Sequence, residues 1–178
     1  MMNWVQTLQR LQQQQIPAVM VTVASTIGST PREPGAKMIV TSDQIYGTIG
    51  GGNLEHQACA IARSQLDSAE SSQLKRFPLG AGLGQCCGGL VNLMFEPVLE
   101  SSNWVASAAR LQAQGKDWVR VVPTKTKESD EDSEQLMFAT DQLDVESSHS
   151  AETLELFEAA KLMLQSSCLL YTSPSPRD

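Results

Sequence analysis

The sequence predicts an α/β fold: a mixed sheet with flanking helices, built from two degenerate repeats of a helix–strand–hairpin–helix unit. Three observations predict it. Segments with apolar residues at helical spacing alternate with short runs rich in valine and isoleucine. Clusters of glycine, proline and serine separate them. The N-terminal pattern then returns about 100 positions later, where Asn103 to Gln114 resembles Asn3 to Gln14.

The elements follow in order. Asn3 to Gln15 predicts an amphipathic helix, with Trp4, Leu8 and Leu11 on one side and Asn3 as its cap. Pro17 ends the approach, and AVMVTVA (Ala18 to Ala24) reads as a buried strand. GSTPREPGA is a loop. KMIVTSDQIYGTIGG (Lys37 to Gly51) predicts a hairpin turning at Ser42 and Asp43. Asn53 to Ser68 predicts a second helix with Leu54, Ala58 and Ile61 on one face, and LKRFPL and LVNLMFEP are further strands. In the second half a helix and a valine-rich strand recur. ATDQL (Ala139 to Leu143) resembles TSDQI (Thr41 to Ile45), and Ala151 to Leu164 is the counterpart of the Asn53 helix.

The bulk properties limit the function classes. The 178 residues carry a net charge of -7, with 41% hydrophobic and 19% charged residues. That acidity speaks against a nucleic-acid or anionic-membrane partner, which would require a basic face. No secretory signal and no membrane-spanning run is evident. The cysteines have neither an even framework nor metal-type spacing, so a reducing cytoplasm is the expected compartment. The last eleven residues, CLLYTSPSPRD (Cys168 to Asp178), match a translated frame of a common transposase sequencing adapter. They are expected to be a non-native tail, with the natural protein continuing beyond Ser167. The native cysteines are then Cys59, Cys86 and Cys87.

The second copy has KTKESDEDSE where the first has its proline–glycine loop, and SSHSAE where the first has three glycines. The chemistry is therefore expected in residues 28 to 90. Three stretches there carry it. GTIGGGNLEHQ (Gly47 to Gln57) runs from a strand end into a helix start. Its consecutive glycines suit either a backbone cradle for an anion or a plain tight turn. GSTPREPGAK (Gly28 to Lys37) sets Arg32 and Lys37 beside two prolines, which suits a phosphate or a planar oxygen-rich ligand, or a solvated loop. LGAGLGQCCGG (Leu79 to Gly89) holds adjacent thiols on bare backbone. Adjacent cysteines bridge each other poorly. Cys86 and Cys87 could hold a soft metal centre, carry sulfur, act as a reversible redox switch, or mark an idle turn. LGAGLG also leaves open a nucleotide-dependent oxidoreductase, although Gln85 stands at the third fingerprint position. Cys59 reads as a small core residue and His56 as a surface or capping one. No Ser/His/Asp set and no acid–base carboxylate pair is evident.

GSTPREPGAKMIV, GTIGGGNLEHQA and LGQCCGGLVNLMFEP, in this order, closely resemble the N-terminal domain of the XdhC/CoxI family. These are bacterial accessory proteins of xanthine dehydrogenase. The resemblance covers about Asn3 to Pro97 strongly and the rest more weakly. It implies one XdhC/CoxI-like domain over 1–167, with a motif-bearing half (1–100) and a degenerate half (101–167), ahead of the tail 168–178. It implies a cytoplasmic, non-enzymatic insertion and sulfuration chaperone that transiently binds the molybdenum cofactor (molybdopterin). The implied partners are an apo molybdenum hydroxylase and a cysteine desulfurase. The family pattern also falls on Pro31 and Gly35. The implied cofactor-binding residues are Arg32, Gly50, Gly51, Gly52, Glu55, Gln85, Cys86, Cys87, Gly88 and Gly89, with Cys86 and Cys87 facing the metal. Family members usually add a C-terminal Rossmann domain with a Gly-Ala-Gly-His-type loop, which this chain lacks. A chain shortened in this way is expected to self-associate through a former domain interface.

Overall fold

Asn3 starts the first helix, α1 (Trp4–Gln13), as its sequence position predicts. Its Oδ1 accepts the Gln6 N–H at 3.2 Å, a cap worth about 1 kcal/mol over alanine. Val5, Leu8 and Leu11 form the buried stripe. The structure is a computed structural model that describes residues 3–68, 71–80, 88–100, 102–116, 118–121 and 136–139. Gln85, Cys86, Cys87, the acidic loop 127–134, the helix expected at 151–164 and the adapter-like tail lie outside the described residues. The chain divides into two compact units, Met1–Val105 and Ala106–Asp178.

In the first unit, β1 (Ala18–Ile27), β2 (Lys37–Val40) and β3 (Ile45–Gly47) precede α2 (Gly52–Ser68). Then come β4 (Gln73–Pro78) and β5 (Leu90–Val98). The five strands form one sheet in the order β3-β2-β1-β5-β4. The α/β class is as predicted, and every pairing in this sheet is antiparallel rather than mixed in direction. β1, β2 and β3 pair in chain order as a meander, β4 pairs with the next strand β5, and β5 pairs with the distant β1.

β1 lies at the centre and is covered on both faces. Val19, Val21 and Val23 pack with Val91, Leu93 and Phe95 of β5 and with Leu54, Ala58, Cys59 and Ala62 of α2. The alternate residues Ala18 and Met20 pack with Leu8 and Leu11 of α1, Ile39 of β2 and Val98 of β5. A strand buried on two faces reads as an unbroken apolar run, which is why AVMVTVA shows no alternation. The predicted α2 face holds, except that Ile61 is half-buried and Ala62 takes the buried position.

β1 extends three residues past the predicted end, to Ile27. Its pairing with β5 passes from Val23↔Leu93 to Ser25↔Asn92, so Ala24 is an inserted bulge residue. Bulges bend a strand end and re-aim its side chains. Here Asn92 Nδ2 donates to Ser25 Oγ at 2.7 Å just beyond the bulge. No helix among the described residues is long and apolar enough to cross a membrane.

α3 (Asn103–Ala113) spans the unit boundary. Within the second unit, β6 (Trp118–Val121) pairs with β7 (Leu136–Ala139). Local geometry repeats that of the first unit. β6–β7 pairs as Trp118↔Ala139 through Val121↔Leu136, and β1–β2 as Val19↔Val40 through Thr22↔Lys37, the same register 99 positions earlier. α1 ends with Gln15 N–H to Gln12 O and Ile16 N–H to Leu11 O at 3.0 and 2.9 Å. α3 ends with Gly115 N–H to Gln112 O and Lys116 N–H to Leu111 O, both at 3.1 Å. Both are Schellman caps, each with a left-handed residue: Gln15 at φ 56° and Gly115 at φ 66°.

Candidate functional site

The topology brings the three motif loops to one end of the sheet. β1 leaves that end at Ile27, opposite Leu90, where β5 begins. β4 ends there at Pro78, also opposite Leu90. β2 starts and β3 ends on the same side, with Met38 opposite Gly47. The Arg32 loop, the triple-glycine turn and the base of the thiol loop therefore leave the sheet together.

They also touch. A Cβ on Gly50 would lie 2.7 Å from Pro31 Cβ and 3.3 Å from Arg32 Cγ, so the glycine turn rests on the proline loop. A Cβ on Gly89 would lie 2.2 Å from Ser29 O and 2.8 Å from Ile27 O. Only a glycine lets the base of the thiol loop lie flat on that backbone. Leu79 N–H donates to Gly89 O at 2.7 Å and closes the base of the loop. Gly88, one residue earlier, is exposed, with nothing within 4 Å of its Cβ position.

The triple-glycine turn is a nest with an occupant from the chain itself. Gly50, Gly51 and Gly52 all have positive φ, at 123°, 74° and 65°. Glu55, in the first turn of α2, places Oε2 in the concavity. That oxygen accepts the Thr48 hydroxyl at 2.5 Å, the Ile49 N–H at 3.1 Å and the Gly51 N–H at 3.0 Å. The Gly50 N–H turns to Thr48 Oγ1 at 3.1 Å. The sequence pointed to an anion cradle or a tight turn. The structure is a tight turn whose anion is built in, and Glu55 faces the loop's own backbone. Sequence reasoning missed Thr48 in this arrangement. An acidic residue in the first helical turn is a capping signal that could have revealed the contact.

The other predicted residues separate. Arg32 is exposed, and its guanidinium makes no hydrogen bond or ion pair among the described residues. Lys37, five positions on, turns away: its Nζ donates to Gly35 O at 3.3 Å and sits 5.3 Å over the Trp4 ring. His56 is exposed on α2. Cys59 is a core residue as expected, its Sγ 4.0 Å from Met38 Sδ. Burial foremost, then the nearby Glu55 charge, push its thiol pKa up against an opposing pull from Arg63. Among the described residues, no group of three or more His, Cys, Asp or Glu could hold a metal. The paired thiols, the expected soft donors, lie outside those residues. A shallow hollow of about 290 Å³ beside the β2–β3 turn, lined by Arg10, Thr41 and Tyr46 among others, lies at the opposite end of the sheet and includes no predicted site residue.

The first two motif loops and the base of the third thus lie together at one end of an antiparallel sheet. The model of the XdhC and CoxI family matches residues 11–78, from α1 through β4, including the first two motifs. Over that span the chain matches the XdhC and CoxI family, and the resemblance carried by the first two motifs is borne out. A solved structure described as a xanthine dehydrogenase from Bacillus halodurans is similar, with a TM-score of 0.60 and 21% identity over 86% of this chain. That likeness is one of fold. The chain spans about half of that structure's length, 47%. Comparison with curated proteins yields no match.

Proposed function

We propose that this chain is an accessory protein that binds the molybdenum cofactor for xanthine dehydrogenase-type hydroxylases, as an insertion and sulfuration chaperone rather than an enzyme. The observation that carries this reading is the convergence of the three motif loops, with Gly50 against Pro31 and Gly89 against Ser29. The described residues fit a bulky, oxygen-rich ligand. Backbone is bare at Gly51 and Gly88, where a Cβ would meet nothing within 4 Å, and the Arg32 guanidinium is uncommitted.

On this reading Arg32 takes the phosphate or the oxygen-rich ring edge, for which a planar fork of donors is suited. Cys86 and Cys87 provide soft thiolate donors from the loop whose base Gly89 anchors. Gly88 leaves room for close approach. The cofactor, when bound, supplies the metal–sulfur centre that the client enzyme later uses. The chain binds it, shields it and releases it in the cytoplasm to the apo-hydroxylase, with a cysteine desulfurase as the sulfur source.

The test is anaerobic mixing of the chain with released molybdenum cofactor, followed by ultrafiltration and assay of retained molybdenum and pterin. Retention near one cofactor per chain is expected, weakened by Arg32→Ala and lost when Cys86 and Cys87 are both changed to serine. No retention by the folded chain refutes the reading.

A further inference from the structure

The triple-glycine turn has the shape of an anion cradle, yet the N–H groups of Ile49, Gly50 and Gly51 are already engaged. Glu55 Oε2 takes the N–H groups of Ile49 and Gly51 together with the Thr48 hydroxyl, and Thr48 Oγ1 takes the N–H of Gly50. We propose that Glu55 is a specificity-determining residue of this site: its carboxylate fills the glycine nest and keeps ligand oxyanions out, which leaves anion recognition to Arg32. The role of Arg32 rests on the function proposed above, whereas the filling of the nest does not.

Three points support the exclusion. Glu55 is tethered only four positions from Gly51, so it competes as an intramolecular ligand at high effective concentration. A carboxylate in the first turn of α2 also complements the helix dipole, so the same field that would draw a phosphate already holds Glu55. An incoming oxyanion would meet this negative charge at hydrogen-bond range and be repelled. The turn is open on the side of the Gly51 Cβ position, where nothing lies within 4 Å. On the side of the N–H donors the Glu55 carboxylate closes it by occupancy and by charge. Beside it, the Arg32 stem packs at Gly50, which keeps an exposed cation next to the filled nest.

The experiment is a titration of the full chain with inorganic pyrophosphate, followed by amide NMR at Ile49 and Gly51 and by calorimetry. The wild-type protein is expected to show no shift at these two amides, and Arg32→Ala to weaken whatever affinity it has. Glu55→Ala is expected to bind pyrophosphate at the emptied nest, tighter by roughly tenfold or more, the factor a charge-assisted hydrogen bond is worth. Glu55→Gln keeps a neutral acceptor of the same shape and should fall between the two. Wild-type shifts at Ile49 and Gly51, or no gain in affinity in a folded Glu55→Ala, overturn the proposal. Should Glu55→Ala fail to fold, the wild-type titration and Glu55→Gln decide. No cofactor enters this measurement, so failed cofactor retention leaves its outcome unaffected.

Discussion

Gly88 and Gly89 are neighbours in sequence and should respond oppositely to the same change. A Cβ at Gly89 would stand 2.2 Å from Ser29 O, 2.8 Å from Ile27 O and 2.9 Å from Ser29 C. All three atoms are backbone, so no side chain can rotate to make room. The site is held from both sides, by the Ile27↔Leu90 pairing and by the 2.7 Å bond from Leu79 N–H to Gly89 O. Relief requires more than an ångström of backbone movement. Overpacking costs about 1–3 kcal/mol. Loss of the Leu79–Gly89 bond adds about 1 kcal/mol. Gly89→Ala should therefore destabilise the first unit by about 2–4 kcal/mol, a fall in Tm of roughly 10–20 °C for a unit of this size. Gly88→Ala, whose Cβ meets nothing within 4 Å, should stay within about 0.5 kcal/mol of wild type. Urea unfolding followed by tryptophan fluorescence reads both. Equal midpoints for the two variants would refute the close packing of the thiol loop's base on the Ile27–Ser29 backbone.

Two further predictions follow from other parts of the fold. Gln15 holds a left-handed φ of 56° where the matching cap of α3 uses Gly115; Gln15→Gly should raise stability by about 0.5–1 kcal/mol, visible as a higher Tm in calorimetry, because glycine adopts this φ without steric cost. Cys59 has its thiol pKa raised above the ordinary 9.0; the folded state holds the proton more tightly than the unfolded one, so this contribution is full below pH 9.0 and is lost as pH rises toward the folded value. Unfolding midpoints across pH 8 to 11 should fall less steeply in Cys59→Ala than in wild type, and identical slopes would remove the linkage.

The sequence carried local features well and long-range ones poorly. Asn3 as a cap and the stripe at Leu8 and Leu11 depend on a few neighbouring residues, and both appear as expected. The β2–β3 hairpin turns at the Ser42-Asp43 signal, closed by Thr41 N–H to Gln44 O at 2.9 Å. Strand direction is not written in composition, so the purely antiparallel sheet could only come from the fold. The extension of β1 through Ser25 to Ile27 was hidden because those residues are half-buried or exposed, unlike the apolar run before them. At the site, Arg32 and Lys37 look equivalent in sequence. Strand β2 begins at Lys37, whose side chain turns toward Trp4 of α1 while Arg32 stays with the loops. Glu55 was legible as a residue of interest, but its partners, the Thr48 hydroxyl and the Ile49 and Gly51 N–H groups, were open only to a capping argument from its place in the first turn of α2. Gly88 and Gly89 are alike in sequence, and tertiary contact alone distinguishes them.

The central claim is that three loops form one binding site, and hydrogen exchange with mass spectrometry tests it most directly. The chain is compared anaerobically with and without released molybdenum cofactor. Slowed exchange is expected together in residues 28–36, 47–52 and 79–89, with none in the β2–β3 turn at 41–44. Protection confined to one loop, or found instead at the β2–β3 turn, would contradict the account.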